Sequence, residues 1–169
     1  EDAENVIILM GSATEAAREA IDHLLKEGKK VGMISVHLYR PFSVKHLIAA
    51  VPKSCKRIAV LDRTKEPGAE GEPLYLDVKS AFYDVENRPL IVGGRYGLGS
   101  SDVTPAKIIS VFNNLELPEP KNHFTVGIVD DVTFTSLPEV PEIPMGGDSL
   151  FEAKFFGLGA DGTVGANKN

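Results

Sequence analysis

The sequence predicts a three-layer α/β fold, in which an open, mostly parallel sheet of about five strands is covered by helices on both faces. Five short apolar runs occur along the chain, each suited to one buried strand, at residues 5–11, 30–39, 57–62, 89–94 and 124–129. A helical pattern of apolar residues follows each of the first four runs. Such alternation of strands and helices is typical of a parallel sheet with helices on both sides.

The first helix has both a start and a stop signal. Ser12 is placed to cap the helix, and Glu15 three residues later completes a capping box. Gly28 supplies the stop. One face of this helix is apolar and is predicted to point inward, with Ala17, Ala20, Ile21, Leu24 and Leu25.

The later helices carry similar signals. Ser43 is predicted to cap the second helix, which Pro52 ends; the third helix begins at about Pro73. Thr104 is predicted to cap the fourth helix, with Pro105 in its first turn. The apolar positions of the three helices are predicted to face the core: Val44, Leu47, Ile48 and Val51; Leu74, Val78, Ala81 and Phe82; Ile108, Ile109, Phe112 and Leu115.

The pattern changes after the fifth predicted strand. From Asp130 the chain has no periodic apolar face, and prolines stand at positions 138, 141 and 144. We therefore predict an α/β domain at 1–135 and an extended linker at 136–149. Residues 150–169 are predicted to be the first strand and glycine turn of a truncated following domain.

Composition excludes several classes of protein. Of the 169 residues 43% are hydrophobic and 25% charged, as in ordinary globular proteins, and the net charge is −6. No basic block suggests nucleic-acid binding, and no apolar run approaches the roughly 18 residues of a membrane span. The single cysteine, Cys55, is too few for an internal disulfide or a thiolate metal site. The cytoplasm is the expected compartment.

A glycine-rich turn near the carboxyl terminus has the spacing of a phosphate site. Gly157, Gly159 and Gly162 fit G-x-G-x-x-G, and Thr163 begins a possible helix. Only seven residues follow Gly162, so the acidic residue expected about 20 positions later in a dinucleotide site has no counterpart. Thr163 also stands where a P-loop requires lysine. Two interpretations stay open: a tight turn without ligand, or a phosphate contact complete only in a longer protein.

Two further loops contain charged residues. The segment GGRYGLGSSD after the fourth strand offers Arg95 to a carboxylate or phosphate, but packing against another domain is the favoured interpretation. The segment DRTKEPGAEGEP contains carboxylates that could act in acid–base chemistry, yet it has no histidine or cysteine. We favour a solvated or interface salt-bridge loop there. The four histidines are scattered, which argues against a metal site.

Longer motifs in the same stretches resemble a known enzyme family. They are LYRPF, AVLDRTKEPGAEGEPLYLDV, GGRYGLGSSDVTPA, PKNHFTVGIVDDVTFTSL and KFFGLGADGTVGANK, and together they span nearly the whole chain. They resemble the pyruvate:ferredoxin (flavodoxin) oxidoreductases, also called pyruvate synthases. The one departure noted is Glu152-Ala153-Lys154, where the family pattern places a cysteine before the lysine.

The resemblance implies a role within a larger enzyme. Residues 1 to about 140 resemble the family's second domain, which has the fold of the transketolase C-terminal domain. The last twenty residues resemble the start of the third, coenzyme A-associated domain. The whole enzymes convert pyruvate and CoA to acetyl-CoA and CO2, using thiamine diphosphate, Mg and 4Fe–4S clusters, and reduce ferredoxin or flavodoxin. A homodimer is implied for the whole enzyme.

From this resemblance we expect a non-catalytic structural and interaction domain, with no catalytic residue and no metal ligand of its own. Gly157, Gly159, Gly162, Thr163 and Lys168 are the expected cofactor-binding residues, toward a phosphate of CoA. Phe155 or Phe156 is expected to pack on the main domain, or the strand to pair with a sheet edge or a second copy. The alternative is a stand-alone α/β nucleotide- or CoA-binding module, without nucleic-acid or membrane partners.

Overall fold

The computed structural model describes residues 2–143 and 153–167. Residues 2–143 contain five strands, four α-helices and a short 3-10 helix. The strands are β1 (Asn5–Leu9), β2 (Val31–Ser35), β3 (Arg57–Asp62), β4 (Leu90–Tyr96) and β5 (Phe124–Val126). The helices are α1 (Ala13–Lys26), α2 (Val44–Ala50), α3 (Pro73–Ala81) and α4 (Pro105–Glu116), with the 3-10 turn at Leu98–Ser100 and a further short helix, α5 (Thr163–Ala166). Three strands are shorter than the apolar runs that predict them, at 5–11, 30–39 and 124–129.

The five strands form one sheet in the order β2-β1-β3-β4-β5, and every neighbouring pair is parallel. The chain therefore moves outward from β1 to β2, then crosses to the other side of β1 and continues outward. The direction reverses between β1 and β3. In open α/β sheets such a reversal leaves a crevice at the carboxyl ends of the two strands.

Two apolar layers cover the sheet, which confirms the predicted three-layer fold. Helices α1 and α4 pack on one face, against Ile7, Leu9, Ala59 and Leu61. Helices α2 and α3 pack on the other face, against the alternate residues Val6, Ile8, Ile58 and Val60. Each central strand is therefore buried on both faces, as its continuous apolar run predicts.

The predicted start of α1 is wrong in its detail, although its stop is confirmed. Ser12 has helical dihedrals and makes no side-chain cap, and the Thr14 hydroxyl instead donates to the Gly11 carbonyl at 2.8 Å. Gly28 is left-handed, and its N–H and that of Lys29 donate to two carbonyls of the last turn in a Schellman motif. Leu25 was predicted to point inward but is half exposed.

The caps predicted for α2 and α4 are confirmed. The Ser43 hydroxyl accepts from the His46 N–H, and the Thr104 hydroxyl accepts from the Lys107 N–H, each at 3.4 Å. Pro105 occupies the first turn of α4, where the missing N–H costs nothing. The predicted core positions of α3 and α4 are buried as expected.

The chain after β5 folds back along the domain instead of leaving it. Ser136 forms a parallel bridge with Thr125, and the Leu137 N–H donates to the Thr125 carbonyl at 2.9 Å. Leu137 is buried, and Val140 and Ile143 pack against the α1–α4 layer. The stretch predicted as a linker is thus attached to the domain along residues 136–143.

None of the helices in the described ranges is long and apolar enough to cross a bilayer.

Candidate functional site

A cleft of about 410 Å³ opens at the carboxyl edge of the sheet, where β1 and β3 end. It lies at the reversal of strand order, which is where open α/β sheets bind ligands. The chain following β1 forms one wall, and the end of β3 with the start of α3 forms the other. The lining residues are Met10, Gly11, Ser12, Tyr39, Leu61, Asp62, Arg63, Thr64, Pro73 and Tyr96.

Two tyrosines contribute aromatic surface to this cleft. The Tyr96 hydroxyl donates to the Met10 carbonyl at 3.2 Å, and the Tyr39 hydroxyl donates to Asp77 at 2.8 Å. Burial raises the pKa of Tyr96, and burial together with the Asp77 hydrogen bond raises the pKa of Tyr39 to about 12. Arg40 stacks over the Tyr39 ring, 3.8 Å from its centre. Both hydroxyl groups thus donate to acceptors of the protein itself, and the two rings form walls of the cleft.

Asp62 is the buried carboxylate of the cleft, and it caps helix α3. Its two oxygens accept the N–H groups of Leu74 at 3.0 Å and Tyr75 at 3.1 Å. Burial raises the pKa of Asp62 and outweighs the two N–H donors, which act in the opposite direction. The sequence favours a salt-bridge role for this loop, whereas the structure gives Asp62 a capping role that joins β3 to α3.

The remaining polar groups of the cleft are Ser12, Arg63 and Thr64. The Arg63 Nε donates to the Gly97 carbonyl at 3.2 Å, which joins the loops that follow β3 and β4. The lining includes no histidine or cysteine that could act as base or nucleophile. The cleft can therefore hold a small polar group or a neighbouring side chain, but it has no nucleophile–base pair.

Arg95, for which the sequence favours packing against another domain over contact with a carboxylate or phosphate, has an internal partner. Its Nη1 lies 3.3 Å from Oε1 of Glu72, and the two side chains are 17% and 3% exposed. The second carboxylate oxygen of Glu72 is buried and has no hydrogen-bond partner among the described residues. The ion pair fastens the start of α3 to the end of β4. Burial of the 62–73 and 93–102 loops against other domains stays a prediction.

Two glycines of β4 serve the packing of this domain. A Cβ on Gly93 would lie 2.7 Å from the Tyr75 ring, and one on Gly94 would lie 2.1 Å from the Phe124 ring. Sequence reasoning assigned these glycines to a ligand or to another domain. The structure shows instead that they admit two buried aromatic rings of the same domain.

The glycine turn at 157–163 ends in a helix of only four residues, α5. Gly159 and Gly162 have left-handed φ values of +116° and +82°. The carboxylate of Asp161 accepts the N–H of Leu158 at 2.9 Å and that of Thr163 at 3.0 Å. These bonds, that of Thr163 first, lower the pKa of Asp161 to about 2. The turn thus directs two backbone donors at one anionic group, and that group is its own side chain.

Two features of this segment differ from expectation, and one lies outside the described residues. Residues 153–158 form no strand, although the sequence predicts one from about residue 150. Phe155 and Phe156 are 62% and 82% exposed, so neither ring packs on the main domain; pairing of this segment with a second copy, the other alternative, stays a prediction. Lys168, predicted to add charge to a phosphate site, lies outside the described residues.

Sequence reasoning missed the cleft between β1 and β3. Its walls come from segments up to 86 positions apart, Met10 and Tyr96, which only the strand order brings together. The available signal was the rule that the first strand of an open α/β sheet often borders the reversal point. Among the described residues no group of three or more His, Cys, Asp or Glu side chains is placed to hold a metal ion.

Comparison of the sequence with known proteins identifies the family. Residues 3–108 match the family model described as pyruvate:ferredoxin oxidoreductase core domain II. The chain is 58% identical over 169 residues to a pyruvate-flavodoxin oxidoreductase of Klebsiella pneumoniae, and 55% identical over 168 residues to a pyruvate:ferredoxin oxidoreductase of Moorella thermoacetica. Each alignment covers 99% of this chain but only 14% of the relative's length. The chain belongs to the pyruvate:ferredoxin oxidoreductase family, and it corresponds to core domain II together with the segment that follows it.

Proposed function

We propose that this chain is a non-catalytic structural and interaction domain of a longer oxidoreductase. The longer protein would oxidise pyruvate with CoA to acetyl-CoA and CO2 and pass the electrons to flavodoxin or ferredoxin. The observation that carries this proposal is the alignment of 99% of the chain with 14% of enzymes named for that activity. Thiamine diphosphate, Mg and the 4Fe–4S clusters would be bound by other parts of that protein, in the cytoplasm, and the whole enzyme would be a homodimer.

The residues of the cleft support a structural role. Asp62 accepts two backbone N–H groups, and the Tyr39 and Tyr96 hydroxyls donate to acceptors of the protein itself. Outside the cleft lining, one oxygen of Glu72 pairs with Arg95. These groups fasten β3, β4 and α3 to one another, so the carboxyl edge is a rigid surface on which a neighbouring domain can rest.

The proposal includes a contact with a phosphate of CoA through Gly157, Gly159, Gly162, Thr163 and Lys168. The described part of this turn does not fit a phosphate as it stands, because Asp161 already occupies the N–H groups of Leu158 and Thr163. A second anion beside that carboxylate would be repelled. In the complete protein Asp161 would have to release these donors before the turn could meet a phosphate.

The test of the main proposal begins with the size of the native protein. An antibody raised against residues 2–143 should detect a band several times heavier than the 18.2 kDa of this chain. The purified native protein should reduce a viologen dye with pyruvate, thiamine diphosphate and CoA, whereas the chain alone should give no reduction. Turnover by the chain above a buffer blank, or a native protein of about its own mass, would overturn the proposal.

The stand-alone CoA- or nucleotide-binding module is not favoured, since the relatives that contain this region are far longer than the chain. Calorimetric titration of the chain with CoA and with NAD tests it directly. We expect no binding of either ligand at micromolar concentration. Micromolar CoA binding would mean that the turn forms a complete site without its own domain, and micromolar NAD binding would favour a dinucleotide site.

A further inference from the structure

The loop that follows β5, residues 127–136, exposes three large apolar side chains. Val129, Val132 and Phe134 are 85%, 80% and 74% exposed. Single exposed apolar residues are normal on a protein surface, but here three of them lie within six consecutive positions and form a cluster along the sequence. The loop lies at the carboxyl edge of the sheet, because it leaves the carboxyl end of a parallel strand.

An internal hydrogen-bond network holds this loop in one conformation. The carboxylate of Asp130 accepts the N–H groups of Val132 at 3.1 Å and Thr133 at 3.0 Å. It also accepts the hydroxyl of Thr133 and, at 2.9 Å, that of Thr135. These bonds, with the Thr133 hydroxyl first, hold the pKa of Asp130 well below its usual range. The carboxylate thus ties together the backbone of residues 130–133 and the Thr135 side chain.

A second set of bonds fastens the loop to the domain. The Ser136 hydroxyl accepts the Asp130 N–H at 2.7 Å and donates to the Ile128 carbonyl at 3.0 Å. The Thr125 hydroxyl donates to the same carbonyl at 2.9 Å, and the Ser101 hydroxyl donates to that of Gly127 at 2.8 Å. The apolar side chains are thus presented on a fixed scaffold, which lowers the entropy that a contact would cost.

The backbone at Phe134 has an unfavourable conformation, and the side chain is largely exposed. Its φ is +56°, a left-handed value that bulky residues rarely adopt. Such conformations are unfavourable and persist where the surrounding structure enforces them, commonly at functional sites. Asparagine would fit this conformation better, and a polar residue would suit its exposure. A phenylalanine here gains nothing within the described part of the chain.

We propose that residues 127–136 form a docking loop, whose three apolar side chains insert into an apolar depression on another domain of the same longer polypeptide. The inference rests on the proposed function, which makes this chain one domain of such a protein. Its first support is length, since the relatives extend far beyond the region that this chain matches. The exposed carboxylate of Asp131 beside the cluster suits a basic rim on the partner surface.

The size of the patch favours a tethered domain over a second copy. Three side chains on one loop cover far less than the roughly 800 Å² per partner that a standard interface buries. Such a small contact is weak between separate molecules. It becomes effective when the partner belongs to the same polypeptide, because the tether maintains a millimolar local concentration.

The test compares the chain with the full-length oxidoreductase that contains it, by hydroxyl-radical labelling of Phe134. We expect Phe134 to be labelled in the chain and protected in the full-length protein. Equal labelling in both would overturn the docking loop. Protection that develops in the chain alone as its concentration rises would show that a second copy occupies the loop, and would overturn it as well.

Two substitutions separate an apolar contact from backbone strain. Phe134→Asn relieves the left-handed strain but removes the apolar group, whereas Phe134→Leu keeps both the strain and the apolar character. In the chain, the Phe134→Asn variant should melt at the same temperature as the unsubstituted protein or higher. The Phe134→Leu variant should melt no higher than the unsubstituted protein. In the full-length protein the order of melting temperatures should reverse, so that the Phe134→Asn variant melts lowest. This variant should also raise the fraction of molecules with an undocked loop about tenfold or more, because the burial of a Phe side chain is lost.

The same order of melting temperatures in both proteins would overturn the docking loop. That result is distinguishable from failure of the proposed function. If the native protein is no heavier than this chain, the proposed function fails and the inference fails with it. If the native protein is long and active while Phe134 stays labelled, only the docking loop is wrong.

Discussion

The chain contains two helix starts at which one aspartate accepts two backbone N–H groups, and they behave in opposite ways. At the start of α3, Asp62 accepts from Leu74 and Tyr75, and burial raises its pKa. At the start of α5, Asp161 accepts from Leu158 and Thr163, and its pKa falls to about 2. Burial is the largest cause of the raised pKa of Asp62, and the nearby charges of Glu72 and Asp77 act in the same direction. At Asp161 the side chain of Thr163 adds a further hydrogen bond that lowers the pKa.

The glycines of the two regions differ for a related reason. Gly94 in β4 lies against the buried ring of Phe124, with no room for a Cβ. Gly159 and Gly162 in the carboxyl-terminal turn have nothing within 4 Å of their Cβ positions, and their left-handed dihedrals alone select glycine. Glycine in the first region is required by neighbours, and in the second region by the backbone itself.

The largest effect is expected at the buried ion pair beside Asp62. Arg95→Ala should lower the free energy of unfolding of the chain by about 3 kcal/mol, since it leaves the Glu72 carboxylate, 3% exposed, without a counter-charge. Chemical denaturation measures the loss. The double variant Arg95→Met with Glu72→Gln should recover part of it. A fully stable Arg95→Ala chain would show that the pair does not form in solution.

Gly94→Ala tests whether the glycine in β4 is required by a neighbouring side chain. The new Cβ would lie within 2.1–2.5 Å of three atoms of the Phe124 ring, so strand β4 or the ring must shift. We expect a loss of about 2 kcal/mol in the free energy of unfolding. The matched control is Gly165→Ala in α5, whose Cβ position meets nothing within 4 Å. Equal effects of the two substitutions would contradict the distinction between the regions.

Asp62→Ala tests the buried cap. Alanine has no acceptor oxygen, so the Leu74 and Tyr75 N–H groups lose the partner that Asp62 supplies. The expected loss is about 1–2 kcal/mol at pH 7. Retention of the full free energy of unfolding would mean that these two N–H groups find other acceptors.

The pH dependence should have a definite sign. Because the folded pKa of Asp62 is raised, the folded state binds its proton more tightly than the unfolded state does. The stability that Asp62 contributes is therefore greatest below its ordinary pKa of 3.8, and falls as the pH rises from 3.8 to the raised value. The difference in unfolding free energy between the unsubstituted chain and Asp62→Ala should therefore shrink as the pH rises across that window. Growth of this difference would contradict a raised pKa of Asp62.

Asp161→Asn should have the smallest effect. The residue lies on an exposed turn of a four-residue helix, so we expect no measurable change in the unfolding of residues 2–143. Carboxyl NMR should instead show Asp161 titrating near pH 2, with the Leu158 and Thr163 amide signals moving at the same pH. An ordinary titration near 3.8 would show that the two N–H bonds are absent in solution.

Much of the α/β fold follows from the sequence, because its strands and helices are set by local patterns. The apolar run at 57–62 coincides with β3, and Thr104 with Pro105 marks the start of α4 as predicted. Gly28 ends α1 because a left-handed residue is needed there. Each of these signals depends on residues within one turn or one strand, so no distant contact can change it.

The candidate site was only partly predictable. The carboxyl edge of β4 was identified from its glycines and Arg95, but the partners Glu72, Tyr75 and Phe124 come from other elements. The capping box at Ser12 failed because Gly11 turns the chain so that Ser12 itself is helical. The role of the glycine turn in a phosphate contact stays a prediction.

The sequence by itself determined the alternation of strands and helices, the starts of α2 and α4, the end of α1, and the family to which the motifs belong. The tertiary structure alone decided which strands are neighbours, and so where the cleft between Met10 and Tyr96 opens. It also decided that Asp62 and Asp161, each of which accepts two backbone N–H groups, have pKa values shifted in opposite directions. Local patterns fix dihedral angles within a few residues, whereas burial and long-range pairing depend on how the whole chain packs.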